Sequence, residues 1–513
     1  MDINSTPSTF QPFAPLARTE DVDSVAFKGG QLFNGHAKLI PDERSGSPMH
    51  EWINEVPNDG LIRYRMKRNQ ERVFVTSVKG LSEVLVQKNY DFVKPTRLRY
   101  GLGRILGVGL IIAEGDEHKV GSVQWIASPW LVLTDCRQQQ RRQLMPAFAH
   151  RHVKDLYFIF WSKAAELALA LSTEIIDSRS VVNIADWLPR ATLDIIGVAG
   201  LGQDFHAIQN PDNEVCNAYA RVFDQSPPNG KLAMLKMVVK ELLPSLSKRN
   251  DTIAVASQAL KQVSRQLIRQ KKAERQDTKS IDKDILSVAL DSEAFTEEQL
   301  VNQTMTFLAA GHETTATSMT WAILALCRHQ VVQAKLREEI RAKLPPPGVT
   351  DASPMTAELL DSLPYLHAVC SEVLRVYPPA GLTKRVAAKE TTILGQYIPK
   401  GTNIIISMRA INRSKELWGE DAAEFKPERW LGAGRAGNGG ASSNYSYMTF
   451  LHGPRSCIGQ SFAKGEFASL LAVLVGCFEM ELADPDKEIK IVTGLTSRPK
   501  GGLNVRMQRV SGW

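Results

Sequence analysis

A single cysteine stands in a predicted turn within the stretch FLHGPRSCIG at residues 450–459. Phe450 and Arg455 precede Cys457, and a Gly-Pro pair between them permits a tight turn. From residue 460 the sequence predicts a helix, whose first amide groups can point at the sulfur and lower its basicity. This arrangement suits a thiolate that is the single protein ligand of haem iron, and it predicts an enzyme that activates molecular oxygen.

The alternative reading of Cys457 is a buried structural residue, since a free cysteine is usually a small core side chain. Five residue types at fixed spacing favour the haem ligand instead: Phe450, Gly453, Arg455, Cys457 and Gly459. In that reading Phe450 shields the sulfur. Arg455 pairs with a haem propionate as a charge-assisted, bidentate donor.

A second motif, AGHETT at residues 310–315, lies midway along an apolar run at 300–326. The Glu313 carboxylate and the Thr314 hydroxyl are costly in such a helix unless they are used or hydrated. Gly311 removes a side chain, which would let a ligand approach the backbone. The alternative is a threonine-rich kink packed in the core.

A third motif places Glu372 and Arg375 on one face of a predicted helix. Such pairs are common on solvated helices, but here the surrounding residues 366–376 are apolar. A buried pair needs further partners to offset its desolvation, and Arg429 in the PERW sequence at 427–430 could supply one.

The elements that must position these motifs are mostly helical. The pattern predicts a strand pair at 61–65 and 73–76, helices over 153–344, short strands over 391–406, a Gly/Ser/Asn-rich loop at 431–446 and a terminal hairpin at 489–507. The predicted fold class is therefore mainly α with a small β part. No linker separates two domains, so we expect a polar, flexible leader at 1–25 and one domain over 26–513.

Composition excludes several classes of protein. The six cysteines include no C-x-x-C pair, which argues against zinc, iron–sulfur and disulfide frameworks. No basic–aromatic pattern predicts nucleic-acid binding, and the net charge of +7 is modest for 513 residues. The leader has no apolar run long enough for a signal peptide or a membrane span, and polar residues interrupt the run at 300–326.

With these motifs the sequence resembles the cytochrome P-450 superfamily. The haem-binding signature F-x-x-G-x-R-x-C-x-G of that family is matched at every fixed position of residues 450–459, and its A-G-x-[DE]-T-[TS] motif is matched at 310–315. Its E-x-x-R and P-E-R-F-like motifs correspond to residues 372–375 and 427–430, where Trp430 replaces the usual phenylalanine. The resemblance covers residues 27–507 and implies the mainly α haem-thiolate fold with a small β part.

The resemblance also implies a role for each motif residue. Cys457 would ligate the iron of haem b (iron protoporphyrin IX), while Glu313 and Thr314 would deliver protons during oxygen activation. Arg385 would reach a haem propionate; the alternative is a surface arginine. Three residues would form a structural core that holds the cysteine loop: Glu372, Arg375 and Arg429.

The activity implied is that of a monooxygenase, an oxidoreductase that inserts one atom of molecular oxygen into a lipophilic small molecule by hydroxylation or epoxidation. The general style is similar to fungal members that act in secondary-metabolite biosynthesis. No nicotinamide- or flavin-binding domain is visible, so electrons would come from NADPH through a separate NADPH-cytochrome reductase. Two alternatives remain: a haem-thiolate isomerase or dehydratase, which Glu313 and Thr314 disfavour, and a catalytically impaired haem-binding protein.

The resemblance further implies a location at the endoplasmic reticulum membrane surface, on its cytoplasmic side. No transmembrane segment is visible in the chain, although eukaryotic members of the family usually carry one. Peripheral membrane contact is the expectation, and the Lys-and-apolar stretch at 232–240 is a candidate for it. An ordinary core-facing helix is the alternative for that stretch.

One departure from the family pattern concerns the propionate contacts expected from His118 and Arg141. The family spaces these two residues four apart, and here a foreign-looking stretch at 120–138 separates them. Deleting these 19 residues restores the family spacing. Valine codons begin with GT and one glutamine codon ends in AG, so the stretch is hypothesised to be a retained intron of 57 nucleotides. The rival is a genuine insertion loop.

Overall fold

The computed structural model describes residues 46–66, 70–107, 109–112, 136–175, 177, 180–223, 252–277, 284–348 and 355–513. Its helices are α1 Ser47–Glu55, α2 Val78–Ser82, α3 Thr96–Leu106, α4 Cys136–Leu144, α5 His150–Lys154, α6 Tyr157–Glu174, α7 Ile184–Ile195, α8 Glu214–Phe223, α9 Thr252–Asp277, α10 Ile285–Asp291, α11 Glu297–Arg328, α12 Gln330–Lys343, α13 Ala357–Asp361, α14 Pro364–Val376, α15 Met408–Ile411, α16 Lys415–Trp418 and α17 Gln460–Cys477. Its strands are β1 Leu61–Met66, β2 Gln70–Val75, β3 Phe92–Val93, β4 Val181–Asn183, β5 Thr383–Ala387, β6 Thr391–Ile393, β7 Gln396–Ile398, β8 Asn403–Ile406, β9 Phe478–Leu482, β10 Ile491–Thr493, β11 Ser497–Pro499 and β12 Asn504–Arg509. The prediction of a mainly α fold with a small β part is confirmed.

Helix α11 runs through the largest core. Its N-terminus is closed by a capping box, in which the Thr296 hydroxyl accepts from the Gln299 N–H and the Gln299 side chain accepts from the Thr296 N–H. Glu297 and Glu298 lie in its first turn, where the helix dipole favours negative charge. The helix packs against α7, α9 and α17. The apolar run at 300–326 is therefore a buried core helix.

Helix α17 follows the cysteine segment directly. Its side chains are buried almost continuously between Phe462 and Gly476, because it packs against α6, α11, α12 and α14. A Cβ atom added at Gly465 would lie 2.7 Å from the ring of Tyr157, so glycine allows α6 to approach closely. The cysteine loop is thus attached to one of the most buried helices of the fold.

The larger sheet has the strand order β1-β2-β8-β5-β3. Strands β1 and β2 form the predicted strand pair, which is antiparallel with Leu61 opposite Val75. Strand β8 pairs with β2 in parallel and with β5 antiparallel. The short strands predicted over 391–406 correspond to β6, β7 and β8. Strand β5 carries Arg385, and its neighbour β3 begins at Phe92.

The predicted terminal hairpin at 489–507 is wrong in its second half. Strands β10 and β11 form a short hairpin, but β12 leaves it and pairs with β9 and β4. Val505 and Met507 are fully buried on β12 while their neighbours are exposed, so burial of this alternating face decides the pairing. Strand β4, within the stretch predicted to be helical, completes that sheet.

Within the described ranges, none of the helices is long and apolar enough to cross a membrane. The predicted leader at 1–25 and the candidate membrane-contact stretch at 232–240 lie outside the described residues. So do His118 and residues 120–135 of the proposed insertion, whereas residues 136–138 form the first turn of α4.

Candidate active site

The cysteine loop is closed by its own backbone. The Cys457 N–H donates to the Phe450 carbonyl at 2.9 Å, and the Ser456 N–H donates to the Gly453 carbonyl at 3.0 Å. Gly453 has a φ of +79°, and a Cβ atom there would lie 2.4 Å from the Leu85 carbonyl oxygen. Glycine is therefore required at Gly453 both by backbone conformation and by contact with the neighbouring segment.

One backbone N–H and one arginine act on the Cys457 sulfur. Although part of Cys457 is accessible to solvent, the surrounding protein desolvates its thiol and raises the pKa. The Gly459 N–H and the charge of Arg141 act in the opposite direction and favour the thiolate. Arg141 reaches the loop from α4, donating to the Ser456 carbonyl at 2.8 Å and to its hydroxyl at 3.3 Å. Burial lowers the pKa of Arg141, and the Cys457 thiolate opposes that shift.

Glu372 and Arg375 form a fully buried, bidentate ion pair with both N···O distances at 2.8 Å. Arg429 donates to the same carboxylate at 3.0 Å, and the Trp430 indole N–H donates to it at 2.9 Å. The Lys426 N–H adds a further bond at 2.8 Å. The sequence motifs at 372–375 and 427–430 thus meet in space, and the tryptophan that replaces the usual phenylalanine supplies a hydrogen bond.

The other donors of Arg375 are also satisfied. They bond to the carbonyl oxygens of Asn412 at 2.7 Å, Ala422 at 2.6 Å and Glu424 at 2.8 Å. A buried guanidinium with this many partners is compensated for the loss of water. The Arg375 side chain therefore ties α14 to the chain that leads toward the cysteine loop.

Asn412 extends this hydrogen-bond network to the cysteine loop. Its side-chain amide donates to the Thr449 hydroxyl at 2.8 Å and to the Arg375 carbonyl at 3.1 Å, while its oxygen accepts from the Met448 N–H at 2.7 Å. Thr449 in turn donates to the Leu374 carbonyl at 2.7 Å. Asn412 is fully buried. Sequence reasoning missed it, because an isolated asparagine carries no motif.

On α11 the Glu313 carboxylate points toward the hairpin formed by β10 and β11. It accepts a hydrogen bond from the Thr496 hydroxyl at 2.8 Å and a longer contact from Arg498 at 3.4 Å. Thr317 donates to Thr496 at 3.3 Å. The next residue, Thr314, donates its hydroxyl to the Ala310 carbonyl at 2.8 Å. Sequence reasoning missed Thr496 and Arg498, which lie far from Glu313 along the chain.

Gly311 has a packing role that differs from its prediction. A Cβ atom added there would lie 2.8 Å from the Ile196 side chain, in the short π-helical segment that follows α7. The glycine thus lets α11 approach this segment. The expectation that it lets a ligand approach the backbone is wrong in that respect.

Two further arginines lie at the edge of the larger sheet. Arg455 donates to the Phe92 carbonyl on β3. Arg385 is buried on β5 and donates to the Thr383 hydroxyl and to the Lys384 carbonyl, each at 2.9 Å. Because Phe92 pairs with Ala387 on β5, Arg455 contacts the strand that neighbours the strand of Arg385. The surface-arginine alternative for Arg385 is therefore wrong.

The donor set around Cys457 fits a haem. Among the residues that the structure describes, no group of three or more His, Cys, Asp or Glu side chains is placed to hold a bare metal ion. A haem brings its own nitrogen ligands and needs one protein thiolate, with nearby N–H groups and cations for its propionates. The cysteine loop and the nearby arginines supply this combination.

Comparison with known proteins agrees with that geometry. A family model described as Cytochrome P450 matches residues 132–505. The chain belongs to the cytochrome P450 family. It is 44% identical to the cytochrome P450 monooxygenase sphH of Aspergillus fumigatus over 474 residues, which is 91% of this chain and 84% of that protein. It is also 40% identical to the monooxygenases ALT8 of Alternaria alternata (98% and 91% covered) and FUM15 of Gibberella moniliformis (97% and 89%).

The predicted class is thereby confirmed: this cytochrome P450 is a haem-thiolate monooxygenase, an oxidoreductase that uses haem and molecular oxygen. Its structure places most of the predicted site residues in three groups. The cysteine loop holds Phe450, Gly453, Arg455, Cys457 and Gly459 with Arg141 beside it; α11 holds Glu313 and Thr314; the ion-pair core holds Glu372, Arg375 and Arg429. The roles of the individual residues remain predictions.

Proposed function

We propose that this cytochrome P450 inserts one oxygen atom into a lipophilic intermediate of secondary metabolism by hydroxylation or epoxidation. The observation that carries the proposal is the cysteine loop attached to α17, which packs against the helix that bears Glu313 and Thr314. Electrons would come from NADPH through NADPH-cytochrome reductase, at the cytoplasmic surface of the endoplasmic reticulum. The fungal relatives, all named as monooxygenases, support the reaction class.

The residues that would hold the haem come from three segments. Cys457 would supply the thiolate and Phe450 would shield the sulfur, while Gly453 lets the loop pass close to the Leu85 carbonyl and the Gly459 N–H favours the thiolate. The cations available for the propionates are Arg141, Arg385 and Arg455. When bound, the haem supplies the iron at which molecular oxygen is reduced and activated.

Proton delivery would use Glu313 and Thr314. The Thr496 hydroxyl and the Arg498 guanidinium hold the Glu313 carboxylate as an acceptor near the protein surface, since Arg498 is 31% exposed. Thr314 keeps its hydroxyl against the Ala310 carbonyl, one turn back along α11. A proton could thus pass from solvent to Glu313 and then toward Thr314 by rotation of these side chains.

Replacing Thr496 by valine is expected to remove the shortest hydrogen bond to Glu313 while conserving side-chain volume. Product formation should fall several-fold, and more of the reduced oxygen should escape as hydrogen peroxide, because the proton donor is less well placed. Product, peroxide and NADPH consumption are measured together. Thr320→Val is a matched control, since the Thr320 hydroxyl donates to the Ala316 carbonyl within α11. Unchanged coupling in Thr496→Val would contradict the proposed role of the hairpin.

The reaction itself is tested in two steps. The reduced, CO-bound difference spectrum of the expressed chain should show the strongly red-shifted Soret band of thiolate ligation. Product formation from apolar candidate metabolites should then require both NADPH and the reductase. Conversion without NADPH would instead indicate an isomerase or dehydratase. Flotation with vesicles of neutral and anionic phospholipid tests the proposed membrane contact.

The stretch at 120–138 is proposed to be a retained intron. The family match begins at residue 132, inside this stretch, and α4 begins at Cys136. Sequencing the mature message across the junction should show the stretch absent. The chain that lacks the stretch should bind haem roughly tenfold more tightly, because a contact to a haem propionate is restored. The control is a chain in which a Gly/Ser linker of equal length replaces the stretch. A mature message that retains the stretch would refute the intron hypothesis.

A further inference from the structure

Gln303 is a buried amide on α11 that the proposed reaction does not use. It lies about two turns before Gly311 and is 1% exposed. Its side-chain oxygen accepts from the Leu110 N–H at 3.1 Å, and its NH2 group donates to the Gln140 side-chain oxygen at 3.2 Å. Gln303 therefore joins α11 to α4 and to the segment that contains Leu110, residues 109–112.

The segment 109–112 lies close against α11. A Cβ atom added at Gly109 would lie 2.9 Å from the Asn302 carbonyl oxygen, so glycine is what allows this approach. The side chain of Leu110 is buried in the core cluster that also contains much of α11. These contacts hold the Leu110 N–H within reach of Gln303.

The Leu110 N–H determines how both glutamine amides are oriented. A backbone N–H can only donate, so Gln303 must turn its oxygen toward Leu110 and its NH2 group toward α4. Gln140 must then turn its own oxygen toward Gln303, because two NH2 groups cannot form a hydrogen bond with each other. The orientation of the Gln140 amide thus depends on a contact that the segment 109–112 makes with α11.

Gln140 directly precedes Arg141 on α4 and is 9% exposed. Arg141 donates to the Ser456 carbonyl at 2.8 Å and to the Ser456 hydroxyl at 3.3 Å, which places its charge on the residue that precedes Cys457. Successive side chains of a helix point about 100° apart, so the bond between Gln140 and α11 fixes the rotation of α4 about its axis. That rotation determines where the Arg141 side chain lies.

We propose that an amide relay, formed by Gln303 and Gln140, positions Arg141 against the cysteine loop and couples that position to the segment 109–112. Gln303 and Gln140 are then positioning residues, which act through Arg141. When the segment moves away from α11, Gln303 loses the donor that fixes its orientation, and the tie between α4 and α11 weakens. The effect on the haem rests on the role proposed for Arg141, whereas the hydrogen bonds do not.

Amide hydrogen exchange of the purified holoenzyme tests the bonds of the relay. Gln303→Met keeps most of the side-chain length without the amide, so exchange should be roughly two- to tenfold faster at both 109–112 and 136–144, the factor expected for one ordinary hydrogen bond. Gln140→Met should accelerate exchange at 136–144 alone, because Gln303 still accepts from Leu110. Wild-type exchange at 109–112 in Gln303→Met, or at 136–144 in either variant, would overturn the proposal.

Gln333 on α12 provides the matched control. It is also 1% exposed, and its amide both donates to the Met480 carbonyl at 3.0 Å and accepts from the Met480 N–H at 2.9 Å. Gln333→Met should lower the stability but leave exchange at 109–112 and 136–144 unchanged. If Gln333→Met accelerated exchange there to the same extent, the effect of Gln303→Met would be a general loss of stability, and the proposal would be overturned.

The reduction potential of the haem iron tests the positioning of Arg141. Arg141→Gln should shift the potential to more negative values, because a positive charge near the thiolate favours the reduced iron. Gln303→Met and Gln140→Met should each cause a smaller shift in the same direction. The double variant should shift the potential no further than either single variant, since the two glutamines act as one unit.

The same measurement separates failure of the relay from failure of the role proposed for Arg141. A wild-type potential in Gln303→Met and Gln140→Met, together with a shift in Arg141→Gln, would overturn the relay. An unchanged potential in Arg141→Gln would instead contradict the role of Arg141 in the haem site, and the exchange rates would still decide whether the relay exists.

Discussion

Replacing Cys457 by serine is expected to abolish the red-shifted CO difference band and all NADPH-dependent product formation. Serine keeps the size of the side chain and the Cys457 N–H bond to Phe450, so the loop should keep its backbone geometry. It removes the thiolate, which is the group that favours O–O cleavage in this enzyme class. The band and the turnover are measured on the same preparation, normalised to folded protein.

The matched control is Cys477→Ser at the other end of α17. Burial raises the pKa of the Cys477 thiol to about 11, so this residue is a neutral thiol at physiological pH. The Cys477→Ser variant should keep the red-shifted band. A thiolate-type band that survives in Cys457→Ser would show that the ligand has been assigned to the wrong residue.

Replacing Glu372 by glutamine should produce the largest loss of stability. The variant leaves the Arg375 guanidinium without its carboxylate partner and removes one of the two carboxylates that pair with Arg429, in a region where Glu372 and Arg375 have no exposed surface. Removing one member of a buried pair costs about 3–5 kcal/mol. That is a large share of the stability of a typical domain, which is about 5–15 kcal/mol. We expect a much lower urea midpoint and a preparation with little bound haem.

A surface ion pair provides the comparison for Glu372. Lys415 and Glu420 lie 2.8 Å apart, but both are exposed, and solvent screens such pairs. Glu420→Gln should therefore leave the urea midpoint and the haem content at their wild-type values. If Glu372→Gln shared that behaviour, the buried network would not be what holds the cysteine loop.

The sequence predicted the parts of the site that are local in the chain. The residues of the cysteine loop, the AGHETT stretch and the E-x-x-R pair each lie within one short segment, so their spacing is visible without a structure. Arg429 was predicted only because a second short motif contains it. The hairpin of β1 and β2 was predicted for the same reason, since alternation and a turn are local signals.

Contacts between distant segments were not predictable in this way. Asn412 and Thr496 are single polar residues whose partners are 37 and 183 positions away along the chain. Strand β12 follows the hairpin of β10 and β11 in sequence, but it pairs with β4 and β9 instead. Gly311 shows a related limit, because its use depends on Ile196 in another helix. The periodicity of the sequence predicts that such a residue is buried, but the residues that it contacts depend on how the helices and strands pack.

The bonds that shape the cysteine loop have a consequence for haem affinity. Cys457, Ser456 and Met448 are all held by protein donors and acceptors, from Phe450 and Gly453 within the loop to Asn412 beneath it. The conformational entropy of this segment is therefore lost when the chain folds, and haem binding does not have to order it. Such preorganisation lets more of the iron–sulfur bond energy appear as binding affinity. Substitutions beneath the loop should accordingly speed haem dissociation even when they leave every residue around the haem in place.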